Sequence, residues 1–252
     1  PYLWLTSVSG LTLLSLILYQ KTKKEFFTNP KTRFVKSSKA QAWLLADFDG
    51  YVSSMSSADL YARQVLSPYE YRLKSSLSVI DLTDIHQHRL LQAVEKANKF
   101  FKTYRNFYLD PSIYHLPWWF IITNGSYEEG LPHTRGKYIF LTPKTLEQPM
   151  DLLVITLIHE KIHVYQRLNA ISFQQKLIQM GHTIIGKRSD IPLIRANPDL
   201  DEYIYQDRSG KNMVLTYTSE KPSSIQDVVD FSGYEHPFEE IAYTISNHYK
   251  NE

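Results

Sequence analysis

His159, Glu160 and His163 stand in the order His-Glu-Lys-Ile-His. On a helix turning about 100° per residue, the two histidines lie four apart and share one face. Two imidazoles so placed are two of the three protein ligands that a hydrolytic zinc site takes. Glu160, one step round, can reach a water at the metal without ligating the metal itself. The chemistry implied is metal-assisted hydrolysis, with Glu160 as the general base that takes a proton from water and returns it to the leaving group. The chain has no cysteine, which excludes disulfides, thiolate zinc sites and cysteine nucleophiles and leaves histidine and carboxylate as ligands.

Two histidines call for a third ligand. A metzincin arrangement places glycine three residues after the second histidine and another histidine three further on, but here Gln166 and Asn169 stand there, and that class is excluded. The other option is a glutamate on a later helix. His236-Pro237-Phe238-Glu239-Glu240-Ile241-Ala242-Tyr243 supplies Glu239, with Glu240 as its rival, behind a proline placed to open a helix. Ala242, one turn beyond Glu239, is small enough for two helices to pack closely, with Ile241 and Ile245 toward the core. The pair of motifs resembles the gluzincin group of zinc metallopeptidases over about residues 137–247.

That resemblance implies a Zn²⁺ cofactor held by His159, His163 and Glu239, with Glu160 as base and a peptide or protein as substrate. It also implies that the strand over 137–142 is the edge along which an extended peptide pairs. Where some members carry an aspartate to orient the first histidine, this chain has Tyr243. A transition-state donor is expected from Tyr234 or His236, both near the third ligand, or from His133 ahead of the strand. Two other readings stand beside this one. One is a membrane-anchored interaction protein whose motif is degenerate or accidental, with 18 tyrosines suited to a binding surface. The other is a zinc hydrolase acting on bonds other than peptides.

The elements that must position these residues follow from pattern. A helix is predicted from Pro149 to Asn169, with Leu153, Leu157, Val164 and Leu168 as its apolar residues. The uncharged neighbours Thr156-Leu157-Ile158, Ile162, Val164 and Tyr165 suit a buried metal helix. Lys161, about 200° from His159, is expected to reach solvent on the far side. Strands are predicted at 118–123, closed by Asn124-Gly125, and at 137–142, closed by Pro143, with a turn-rich stretch at 131–136 between them. Strands followed by a metal-bearing helix predict an α+β, zincin-like domain with a small antiparallel or mixed sheet. Upstream, Leu60, Ala62, Val65 and Leu66, then Leu90, Leu91, Val94, Ala97, Phe100 and Phe101, form helical stripes, with capping residues over Asp81 to Asp84. His86 and His88 diverge on a helix and are not read as a metal pair, and His115, His182 and His248 are read as core or surface residues. The long insertion 164–236 carries Asn197-Pro198-Asp199-Leu200-Asp201 and the tyrosines Tyr203, Tyr205 and Tyr234, expected to roof the cleft.

The whole chain has 252 residues, 43% of them hydrophobic, enough for a substantial core. Its 28 basic and 26 acidic residues leave a net charge of +2, too balanced for a nucleic-acid coat. Residues 1–20 carry no charge and contain an 18-residue apolar run, Tyr2 to Tyr19. This reads as a single-pass membrane anchor with Tyr2, Trp4 and Tyr19 at the interfaces, against the alternative of a buried or interfacial helix. Lys21, Lys23, Lys24, Lys31, Arg33 and Lys36 would then hold the remainder on the cytosolic side. A signal peptide is not expected, since no charges precede the run. A chain opening on Pro1 reads as processed or a fragment. The expected order is an anchor (1–20), a basic linker (21–39), a helical N-terminal part (40–110) and a zincin-like metallopeptidase domain (111–252).

Overall fold

In the computed structural model, which describes residues 31–229 and 233–249, the bulky runs form two sheets. The first contains β1 (Thr32–Phe34), β2 (Trp118–Ile122), β3 (His133–Arg135) and β4 (Tyr138–Leu141) in the order β1-β2-β4-β3. β1 and β4 run parallel to β2, and β3 runs antiparallel to β4. The second is an antiparallel sheet of β5 (Thr183–Lys187), β6 (Tyr203–Gln206) and β7 (Asn212–Met213). Eight α-helices accompany them among the described residues: α1 (Ser37–Ala46), α2 (Ser57–Ala62), α3 (Pro68–Leu77), α4 (Asp84–Thr103), α5 (Pro143–Leu146), α6 (Met150–Leu168), α7 (Ala170–Gln179) and α8 (Pro237–His248). The class is mixed α+β, as the pattern predicts.

Three expectations need correction. The strand over 137–142 is not an edge, because β4 lies between β2 and β3. The stretch read as turn-rich supplies the edge instead, since Gly136, at φ +58°, opens a two-residue link that folds β3 back on β4. The linker also ends earlier than its composition suggests. Thr32-Arg33-Phe34 alternates, and Phe34 stacks on Phe120 at 6.2 Å while the Arg33 guanidinium lies 4.8 Å over the Trp119 ring, so β1 joins the sheet. Finally, residue 110 is not a packing boundary. One core unites Leu90, Phe100 and Phe101 of α4 with Trp118 of β2, Leu157 of α6 and Ile245 of α8.

The anchor expected over 1–20 lies outside the described residues. Among those described, no helix is long and apolar enough to cross a membrane.

Candidate metal centre

Two helices build the site. α6 spans Met150–Leu168, as its apolar residues require, and presents His159 and His163 one turn apart. α8 begins at Pro237, and the Phe238 N–H donates to Nδ1 of its capping residue, His236, at 3.1 Å. Ala242, Ile241 and Ile245 are buried between the helices and the core, so the helices approach closely enough for Glu239 to meet both imidazoles. Oε2 of Glu239 lies 3.3 Å from His159 Nε2 and Oε1 lies 3.6 Å from His163 Nε2. The two Nε2 atoms are 2.9 Å apart. All three ligand atoms fall within 4.8 Å of one another. Bonds of zinc-ligand length arranged tetrahedrally separate their donors by about 3.3 Å, and these distances fall on either side of that value. This buried His, His, Glu group could hold a metal ion. Glu240 turns away, half-exposed, with Oε2 3.7 Å from His182 Nε2, so the helix phase selects Glu239 over its neighbour.

The surroundings prepare the donors unequally. His163 Nδ1 lies 2.8 Å from Gln166 Oε1, while Gln166 Nε2 donates to the Phe238 carbonyl at 3.1 Å. The second bond fixes the amide's orientation, so the first must be Nδ1–H donating to oxygen, and the lone pair of Nε2 faces the site. His159 has no such support. Among the described residues its buried Nδ1 has no hydrogen-bond partner, and the Tyr243 ring packs against it at 4.4 Å. Asn197 Nδ2 reaches Glu239 Oε1 at 3.4 Å and Glu235 Oε1 at 2.8 Å. Burial drives the His163 imidazole down to about 3. Burial also works against charge on His159, yet contact with Glu239 carries its pKa upward. Burial likewise opposes ionisation of Glu239, but the two imidazoles hold its carboxyl below the usual range.

Glu160 faces the same cleft, a cavity of about 460 Å³. Burial raises its carboxyl to about 7, against the opposing effects of His159 and Thr134. Thr134 Oγ1, on β3, donates to Glu160 Oε2 at 2.9 Å, and no side chain among the described residues engages Oε1. The Thr134 backbone N–H donates to Asp199 Oδ1 at 2.5 Å. Asp199 is itself buried in the cleft wall with Asn197 and Pro198, so that part of the insertion does cover the site. Burial, Glu160 and Glu239 push the Asp199 carboxyl well above its ordinary range.

The donor expectations separate. Tyr234 lines the cleft, 44% exposed, and stacks on Tyr243 at 5.9 Å. His236 does not line it. Its Nδ1 caps α8 and its Nε2 meets Asp201 Oδ1 at 3.2 Å, so both nitrogens are engaged and its role is to start the helix that carries Glu239. His133 lines the cleft, but donation from Nδ1 to the Leu131 carbonyl at 2.9 Å leaves Nε2 an acceptor, and burial lowers its imidazole to about 4. Tyr205 is fully buried away from the cleft. Lys161 is a further correction. It is only 1% exposed, donates to the Leu116 carbonyl at 2.9 Å and lies 4.1 Å over the Trp118 ring. Burial holds its ammonium well below the usual lysine range. The far face of α6 is covered by β2 and α4, which the helix's own sequence does not reveal.

No family model, curated protein or solved structure matches this chain.

Proposed function

We propose that the chain is a zinc-dependent metallopeptidase of the gluzincin type. The observation that supports this best is the convergence of His159, His163 and Glu239 within 4.8 Å, with Glu160 turned into the same cleft. Two imidazole nitrogens and one carboxylate oxygen beside a cleft are a donor set suited to hydrolytic zinc. Zinc held there supplies a Lewis acid, which acidifies water and offsets negative charge on a carbonyl oxygen.

The chain's own residues do the rest. Gln166 keeps the lone pair of His163 aimed at the site. Thr134 holds one oxygen of Glu160, leaving the other to take a proton from water and pass it to the leaving nitrogen. The phenols of Tyr234 and Tyr243 stand at the cleft wall, where a hydroxyl donor can meet the developing oxyanion.

The test compares zinc content and peptide hydrolysis in the full chain, Glu160→Gln and Glu239→Ala. Wild type and Glu160→Gln should each hold one zinc, with hydrolysis by Glu160→Gln reduced by about 10²–10⁴-fold, and Glu239→Ala should lose the metal. Wild type without zinc overturns the reading and returns the chain to an interaction protein.

A further inference from the structure

The zinc chemistry leaves one acidic group of the cleft unused. Asp199 is 7% exposed and lines the cavity. One of its oxygens accepts the Thr134 N–H, and the other has no hydrogen-bond partner among the described residues. The neighbouring carboxylates are provided for: Glu128 pairs with Arg63 at 2.8 Å, Glu235 with Arg195 at 2.5 Å, and Glu239 with the two histidines. Arg167 favours the Asp199 charge from a distance, but its Nη2 donates to the carbonyls of Pro198 and Leu200, not to the carboxylate. Burial, Glu160 and Glu239 oppose charge on this carboxyl, and no cation touches it among the described residues, so a cationic ligand group is what would let it ionise facing the cleft.

The sheet edge gives a second, independent indication. In the β3–β4 ladder Thr134 stands opposite Ile139, and its N–H points outward to Asp199 rather than across the ladder. An extended peptide added to β3 would need that N–H, and Asp199 holds it. The loop carrying Asp199 is firmly built. Besides the Arg167 bonds, the Asp199 N–H donates to Asn197 Oδ1 at 2.9 Å, and Asp201 meets His236 and Tyr205 at 3.2 and 3.0 Å. The groove along the edge therefore ends at Asp199. Glu160 and Asp199 both bind Thr134, one at its hydroxyl and one at its N–H, so the group that takes the water proton and the wall are held at the same residue of β3.

We propose that Asp199 receives the free α-ammonium group of a peptide, so that the enzyme removes single residues from the N-terminus. This rests on the metallopeptidase reading. Water oxygen bonds to the carbonyl carbon of the first residue as its C–N bond breaks, and one water proton travels through Glu160 to the leaving nitrogen. The products are a free amino acid and a peptide shorter by one.

The experiment titrates the full, zinc-assayed chain with leucine hydroxamate and N-acetyl-leucine hydroxamate, alongside Asp199→Asn, which keeps an oxygen for the Thr134 N–H. Wild type should bind the free amine at least about tenfold more tightly, the size of one charged hydrogen bond, and Asp199→Asn should lose that margin while holding its zinc. Equal affinity in zinc-loaded wild type, or a margin retained in Asp199→Asn, overturns the proposal and leaves the metal site standing. Absence of zinc strikes the metallopeptidase reading instead. Hydrolysis of a peptide and its N-acetylated form by wild type probes the same requirement without the variant: cleavage of both at equal rates overturns the need for a free amine.

Discussion

Gln166 gives His163 an outer hydrogen bond that His159 lacks, and the asymmetry has a measurable consequence. With its amide fixed by the Phe238 carbonyl, Gln166 holds His163 in the tautomer that offers Nε2. Gln166→Leu should weaken zinc binding by about 10–100-fold, measured by competition with a chelator. An unchanged affinity would mean that burial alone orients the ring. The His-Glu-x-x-His spacing is legible in the chain because two residues four apart on one helix share a face. Gln166, three residues on from His163, lies on that face too, so its role carries the same signal, although by sequence it serves only to exclude a metzincin. Asp199 carries no such signal. Its partner Thr134 is 65 residues away, and only folding brings them together.

At the scale of elements, the site depends on how closely α8 lies against α6. Ala242 is fully buried, and a larger side chain there has to push the helices apart or distort them. Ala242→Leu should cost about 1–3 kcal/mol in stability and also loosen zinc, because Glu239 rides on the displaced helix. Denaturant unfolding with and without added zinc checks both effects, and a stable variant with undiminished zinc affinity would show that the contact tolerates expansion. Both helices are predictable from their local signals, the apolar spacing of 149–169 and the His236-Pro237 start. The edge strand and Lys161 are not. β3 owes its place to the turn at Gly136, and Lys161 is buried because β2 and α4 cover a face of α6 that its own charge pattern assigns to solvent.

For the molecule as a whole, buried charge ties the N-terminal helices to the cleft wall. Arg63, capping α2, binds Glu128 at 2.8 Å and the Ala196 carbonyl at 2.9 Å, while Tyr51 and Tyr71 donate their hydroxyls to Glu128. Burial opposes the Glu128 charge, but Arg63, by its charge and its hydrogen bond, with His133 and the Tyr71 hydroxyl, lowers its carboxyl to about 2 from an ordinary 4.5. The folded state thus holds this proton less readily than the unfolded chain, so the stabilisation is complete above about pH 4.5 and is lost as pH falls toward 2. Urea midpoints across that window should show the loss. Glu128→Gln should flatten it and be weaker at pH 7 by at most about 3 kcal/mol, the low end for a broken buried pair, because Asp59 stays 3.7 Å from the Arg63 guanidinium. An equally steep profile in the variant would assign the acid sensitivity elsewhere. The sequence by itself determined the α+β class, the two helices that carry His159, His163 and Glu239, and the candidates for a ligand set, since helical phase and capping are local properties of the backbone. Only the tertiary structure decided that Glu239 and not Glu240 meets the histidines, that β3 is the edge, and that Asp199 accepts the Thr134 N–H. Those are contacts between elements distant in the chain, fixed by how helices and strands pack and not by any spacing within one of them.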